Sequence, residues 1–134
     1  MLSYTEENYL KAIFQLGEQS EKVGTNQLAL HLDIKPATAN DMLRKLKTKE
    51  LIDQERYGKI FLTEKGTKRA LLIIRKHRIW ETFLVEKLGF KDEDVHIIAE
   101  QLEHIQSEEL IEKLDEFLGY PEKDPHGKMI PKLF

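Results

Sequence analysis

The sequence changes its periodicity at Leu51, and this change constrains the fold more than any other feature. Before it, apolar residues recur at helical spacing in three short segments. Thr5 and Thr25 are the predicted N-caps of the first two segments, and Pro36 suits the first turn of the third. After Leu51, two short apolar runs flank the turn RYGK at 56–59, which is typical of a β-hairpin. Helix, short helix, turn, helix and hairpin is the order of a winged helix-turn-helix domain.

The remainder of the chain is predicted to be helical. Thr63 caps a long fourth helix that runs to Gly89, and a fifth helix covers 92–105. Ser107 caps a sixth helix, and the proline-rich tail after Gly119 is predicted to be extended. The fold class is therefore mainly α, with the winged helix followed by a second, helical domain.

Composition narrows the class of protein. The chain has 134 residues and no cysteine, which excludes disulfides and thiolate metal sites and fits a reducing compartment. It has no long uncharged apolar stretch and no signal pattern, so we expect a soluble cytoplasmic protein without a membrane partner. Within 35–69, ten basic residues face five acidic ones, and this excess favours a polyanionic partner.

The third helix and the hairpin carry the residues that we predict to contact DNA. Short polar and methyl-bearing side chains near the start of the helix suit base edges, and the basic residues suit phosphates. The predicted contacts are Lys35, Ala37, Thr38, Asn40, Asp41, Arg44 and Lys45 in the helix, and Arg56, Tyr57 and Lys59 in the hairpin. Asp41 is the one residue of this set that argues against DNA binding, since a carboxylate repels phosphate. The alternative is a small domain with a basic surface that contacts other proteins.

The fifth helix concentrates titratable side chains on one face. Within nine positions it carries His96, Glu100, Glu103 and His104. Taken alone, this arrangement is an ordinary amphipathic helix whose polar face lies in water.

The fourth helix favours a binding site instead. Its apolar stripe is Ala70, Ile73, His77, Trp80, Leu84 and Leu88. His77 interrupts this stripe and Glu81 lies one turn further on, so their burial requires compensation. The two could simply pair with each other. They could also join the polar face of the fifth helix, where so many carboxylates would repel one another without a cation.

The types of donor atom limit which metal ion fits the predicted site. Carboxylates and imidazoles without thiolates favour Mn²⁺ or Fe²⁺, while Zn²⁺, Co²⁺ or Ni²⁺ could occupy the site in vitro.

Four segments resemble a known family, the metal-dependent transcriptional repressors that include the diphtheria toxin repressor and the manganese transport regulator. They are ENYLKAIFQL, RKHRIWETFL, VHIIAEQLEHIQSEELIEKLDEFLGYP and DPHGKMIP. The resemblance implies a winged-helix DNA-binding domain over 1–72 and a metal-binding and dimerisation domain over 73–134. It also implies a homodimer that binds palindromic operator DNA when loaded with metal and represses metal-uptake genes, with no enzymatic activity and no small-molecule substrate. Many relatives continue into an SH3-like third domain, which we expect this chain to lack.

The resemblance also assigns ligands. The primary site is predicted from Asn8, Glu100, Glu103 and His104, and the ancillary site from His77, Glu81 and His96. Relatives carry Met or Asp where this chain has Asn8, and iron-responding relatives carry Cys where it has Glu100. Lys11 stands where a dinuclear manganese relative has Glu, and His96 matches the iron-type branch, so Fe²⁺ stays open. Manganese-responding relatives carry Glu where this chain has Glu100, which places Mn²⁺ slightly ahead of Fe²⁺.

Two other functions fit parts of the pattern. A carboxylate-bridged metalloenzyme would need a matched Glu-x-x-His on a second helix, which the sequence lacks. A metal-independent winged-helix regulator or protein-interaction module would leave the acidic face solvated.

Overall fold

The computed structural model describes residues 2–55 and 58–132 and divides into two compact units, Met1–Ala70 and Leu71–Phe134. The boundary between the units lies inside a long helix. The elements in chain order are α1 (Tyr4–Gln19), α2 (Thr25–Leu32), α3 (Pro36–Thr48), β1 (Ile52–Gln54), β2 (Ile60–Leu62), α4 (Glu64–Glu86), a 3₁₀ turn (Asp92–Asp94), α5 (His96–Leu102) and α6 (Glu108–Phe117). This order confirms the predicted mainly α fold with three helices and a hairpin followed by helices.

The first unit is a winged helix. Its core is formed by apolar faces of the three helices and the inward residues of the hairpin, including Leu10, Leu28, Leu43, Leu46 and Ile60. β1 and β2 are antiparallel, with Ile52 opposite Leu62 and Gln54 opposite Ile60. The period-2 pattern that predicted the hairpin therefore also sets which residues face the core.

The helix starts differ from the prediction at two positions. α1 is capped by Ser3 rather than Thr5, because Ser3 and Glu6 form a reciprocal capping box. α2 begins at Thr25 itself, and its N-cap is Gly24, which offers no side-chain acceptor. The predicted cap at Thr63 is confirmed, since its hydroxyl accepts a hydrogen bond from the Gly66 amide at 3.0 Å.

The second unit has its own core, formed by Ile79, Trp80, Ala99, Ile111, Leu114 and Ile130. α6 is capped by Ser107 as predicted, with the Leu110 amide donating to its hydroxyl at 3.1 Å. Ile130 brings the tail into this core, so the segment after α6 is packed against the helices.

Two predicted helix ends are wrong, and the second concerns residues of the site. α4 ends at Glu86, and Leu88, which was placed on its buried stripe, is 58% exposed because it lies beyond the helix. The predicted helix over 92–105 is a 3₁₀ turn followed by α5, which ends at Leu102. Glu103 and His104 therefore follow the helix instead of continuing its polar face.

Among the residues that the structure describes, no helix combines the length and the apolar character needed to cross a membrane.

Candidate metal centre and DNA-facing surface

His77 is the centre of a buried polar network in the second unit. It lies on α4 and is only 6% exposed. Its Nε2 is 3.2 Å from Oε1 of Glu81, and its Nδ1 is 2.9 Å from Oε1 of Glu103. A neutral imidazole has one N–H and can donate to only one of these carboxylates, whereas an imidazolium donates to both. Both ring nitrogens of His77 therefore face a carboxylate oxygen at hydrogen-bond distance.

His96 completes a first cluster around Glu81. It is the first residue of α5, and its ring lies edge-on to that of His77 with centroids 4.9 Å apart. Its Nδ1 is 4.0 Å from Oε2 of Glu81, and its Nε2 is 3.0 Å from Oε1 of Glu100. His77, Glu81 and His96 each present a ligand atom within 4.8 Å of the others. The structure thus brings together the three residues predicted for the ancillary site.

A second cluster shares Glu81 and was missed by the sequence analysis. Glu81, Asp124 and His126 also hold ligand atoms within 4.8 Å of one another, and Nδ1 of His126 is 3.7 Å from Oε2 of Glu81. Oδ1 of Asp124 accepts from the amides of His126 and Lys128 at 2.9 and 2.8 Å, which folds the segment back on itself. The signal was the Asp-Pro-His-Gly motif, which local periodicity assigned only to an extended tail.

Glu81 has the chemistry expected of a shared metal ligand. It is 3% exposed, and within the described parts of the chain its Oε2 accepts no hydrogen bond, although two imidazoles face it. Burial raises the pKa of the Glu81 carboxyl, but the hydrogen bond from His77 and the charges of His77, His126 and His96 outweigh it, so the pKa lies below its ordinary value. A buried anionic oxygen without a hydrogen bond fits a divalent cation, which would supply the missing partner.

The residues predicted for the primary site have different environments. Glu103 is fully buried and His104 is 5% exposed, which contradicts a solvated polar face at these two positions. Glu100 is about half exposed, with a side-chain accessibility of 49%. Glu103 contacts His77 directly, although the two were assigned to separate sites. Asn8 lies on α1 in the first unit and is exposed.

The predicted DNA contacts of α3 lie on its exposed side. The described residues Lys35, Ala37, Thr38, Asn40, Asp41, Arg44 and Lys45 are all exposed. Arg44 forms an ion pair with Asp41 one turn earlier. The guanidinium offsets the negative charge of Asp41, which would otherwise repel phosphate. Nζ of Lys59 lies 4.7 Å from the centre of the Phe61 ring, and Arg56 and Tyr57 fall outside the described residues.

Comparison with known proteins identifies the family. Residues 1–60 match the family model described as "Iron dependent repressor, N-terminal DNA binding domain", and residues 63–132 match "Iron dependent repressor, metal binding and dimerisation domain". The chain belongs to the iron-dependent repressor family. Members of the iron-dependent repressor family are DNA-binding transcriptional repressors and not enzymes.

Three proteins of known type are similar to this chain. The chain is 33% identical over 129 residues to the iron-dependent repressor IdeR of Mycobacterium tuberculosis, covering 96% of this chain and 56% of that protein. It is 30% identical over 118 residues to the regulator MntR of Oceanobacillus iheyensis, covering 88% of this chain and 80% of MntR. A solved manganese-dependent transcriptional repressor in complex with manganese superposes with a TM-score of 0.87 at 41% identity, over 95% of this chain and 58% of that one. The chain therefore spans little more than half the length of IdeR and of this solved repressor.

Proposed function

We propose that the chain is a metal-activated transcriptional repressor that binds palindromic operator DNA as a homodimer and controls metal-uptake genes. The observation that carries the proposal is the buried Glu81 carboxylate, which two imidazole-containing clusters share in the domain that the family uses for metal binding. The exposed, basic face of α3 supplies the surface for DNA.

Within this proposal, the metal neutralises carboxylates that otherwise repel one another. Glu81, His77 and His96 would hold one ion, and the orphaned Oε2 of Glu81 supports this assignment. Asn8, Glu100, Glu103 and His104 remain the predicted primary ligands. The ion biases the repressor toward the DNA-competent state only as far as it binds that state more tightly than the inactive one.

Mn²⁺ is the favoured activating metal, with Fe²⁺ as the alternative. The donors around Glu81 are carboxylate oxygens and imidazole nitrogens, and this chain has no thiolate to select a softer ion. The solved relative with manganese bound supports the same choice. Other divalent transition metals would also bind in vitro, since raw affinity follows the Irving–Williams order.

The homodimer is supported by apolar surface on the second unit. Several large apolar side chains there are more than half exposed and are available to an interface between copies of the chain. They are Leu88, Ile97, Phe117, Tyr120 and Met129. A second copy of the chain is the proposed occupant, in line with the family description of this domain as a dimerisation domain.

Operator binding is expected to depend on metal. A duplex can be selected from a random 30-bp pool by the full chain with Mn²⁺, and its affinity then measured at fixed salt with Mn²⁺, with Fe²⁺ and with chelator. We expect chelation to weaken binding by about 10-fold to 100-fold, the usual range of allosteric coupling. His104→Ala is expected to bind the duplex in the presence of Mn²⁺ no better than the chelated protein does. Salt must be fixed because the phosphate contribution alone changes affinity by orders of magnitude.

Two outcomes contradict the proposal. If no duplex is enriched, the chain does not bind a specific operator. If the enriched duplex binds equally well with chelator, the chain is a metal-independent regulator with a solvated acidic face.

His126→Ala is expected to weaken Mn²⁺ binding about 10-fold in isothermal titration, because it removes one of the two imidazoles that face Oε2 of Glu81. His31→Ala is the matched control, since His31 is exposed on α2 in the other unit. Equal Mn²⁺ affinity of the His126 and His31 variants would show that the second cluster does not contribute to Mn²⁺ binding.

A further inference from the structure

The C-terminal end of α3 is held from two sides within the first unit. The helix ends at Thr48, Lys49 is its C-cap, and Glu50 follows in the left-handed conformation with φ of 61°. The Glu50 amide donates to the carbonyl of Lys47, and the Leu51 amide donates to that of Leu46, each at 3.0 Å. These hydrogen bonds fix the backbone where α3, the helix proposed to contact DNA, ends. Other elements of the first unit contact the chain at this point.

α1 contacts this end through an ion pair. Nζ of Lys49 donates to Oε2 of Glu6 at 2.5 Å, and Glu6 is only 6% exposed. The other oxygen of Glu6, Oε1, accepts from the Ser3 amide at 3.0 Å as part of the capping box. Burial raises the pKa of the Glu6 carboxyl, but the hydrogen bonds from Lys49 and Ser3 outweigh it, so the pKa lies below its ordinary value. Glu6 therefore has two separable roles, one local and one between helices.

The start of α4 contacts the same end. Nζ of Lys65 donates to the carbonyl of Lys49 at 3.2 Å, and the hydroxyl of Thr63 donates to the carbonyl of Glu50 at 2.7 Å. These bonds satisfy carbonyls that the helix leaves without intrahelical partners. The end of α3 is therefore held by side chains of α1 and of the start of α4.

We propose that Glu6 is a positioning residue for operator binding: its ion pair with Lys49 fixes the C-terminal end of α3 against α1. Glu6 neither contacts DNA nor binds metal in this role. The proposal rests on the function proposed above, because it concerns the affinity of the metal-loaded chain for its operator. Sequence periodicity could not find it, since Glu6 and Lys49 are 43 positions apart.

Glu6→Gln tests the proposal, because glutamine keeps the capping-box acceptor and removes only the charge that pairs with Lys49. We expect the Mn²⁺-loaded variant to bind the selected duplex about fivefold more weakly, the upper range for a partly exposed ion pair. Its Mn²⁺ affinity in isothermal titration and its affinity for a random-sequence duplex should equal those of the wild type. The sign is diagnostic, because loss of a negative charge that did nothing else would leave DNA affinity unchanged or raise it.

Matched controls separate positioning from general electrostatics. Glu18→Gln makes the same charge change at an exposed position of α1 and should bind the duplex as the wild type does. Lys49→Gln should lose more affinity than Lys47→Gln, and the double variant Glu6→Gln/Lys49→Gln should lose no more than Lys49→Gln alone.

The outcomes distinguish this inference from the proposed function. Wild-type affinity of Glu6→Gln for the selected duplex, or additive losses in the double variant, would overturn the positioning role while leaving the repressor function intact. Failure of the wild type to enrich any duplex would instead refute the repressor function. A parallel loss of Mn²⁺ affinity in Glu6→Gln would place Glu6 in the metal site and also overturn the inference.

Discussion

Glu81→Gln is expected to weaken Mn²⁺ binding by about 100-fold or more, the largest effect of any single change in the second unit. Glutamine keeps the size of the side chain but removes the negative charge that both clusters share. Loss of an outer partner of a metal ligand typically costs about 10- to 100-fold, so loss of a shared ligand should reach or exceed the upper value. Isothermal titration with Mn²⁺ measures the effect directly.

Glu86→Gln is the control for this change, because Glu86 is exposed at the end of the same helix. It should bind Mn²⁺ with wild-type affinity. Circular dichroism should show that both variants remain helical. Wild-type Mn²⁺ affinity in folded Glu81→Gln would refute the assignment of this carboxylate as a ligand.

Gly66→Ala is expected to lower the free energy of unfolding of the first unit by about 2–3 kcal/mol, as overpacking does. In most helices this change is stabilising by about 1 kcal/mol. Here a Cβ at position 66 would lie 1.9 Å from the carbonyl oxygen of Leu51 and 2.9 Å from its carbon. Backbone atoms cannot rotate away as a side chain does, so α4 or the segment after α3 must shift. Thermal denaturation should show a fall of roughly 10–20 °C in the midpoint of this unit.

Gly17→Ala is expected to change the stability of the same unit in the opposite direction. Gly17 lies in α1, and a Cβ there would meet no described atom within 4 Å. We expect stabilisation of about 0.5–1 kcal/mol from helix propensity alone. Equal stability of the two alanine variants would show that the backbone near Gly66 and Leu51 accommodates a Cβ without loss of stability.

The sequence was sufficient for the fold because local patterns determine most of its elements. The period change at Leu51, Pro36 at the start of α3 and the caps at Thr63 and Ser107 each act over three or four residues. The error at the start of α1 arose where two local candidates compete. Ser3 and Thr5 are both good N-caps, and only the capping box with Glu6 decides between them.

The site was predictable only in part, because its members come from separate elements. His77 and Glu81 could be found as polar residues on an apolar stripe, and the structure brings His96 to them. The contact of Glu103 with His77 agrees with the alternative in which the polar residues of both helices share one space, although α5 ends one residue before Glu103. His126 contacts Glu81 across 45 positions, and no periodicity within the tail encodes such a contact.

Glu81 faces His77 with one oxygen and both His96 and His126 with the other. If each cluster held an ion, Glu81 would serve both, and thermodynamic reciprocity would require each ion to change the affinity of the other by the same factor. Occupancy would then follow one linked curve instead of two independent thresholds. Under the proposed function, Glu81 would in this way contribute to the width of the metal concentration range over which the chain switches.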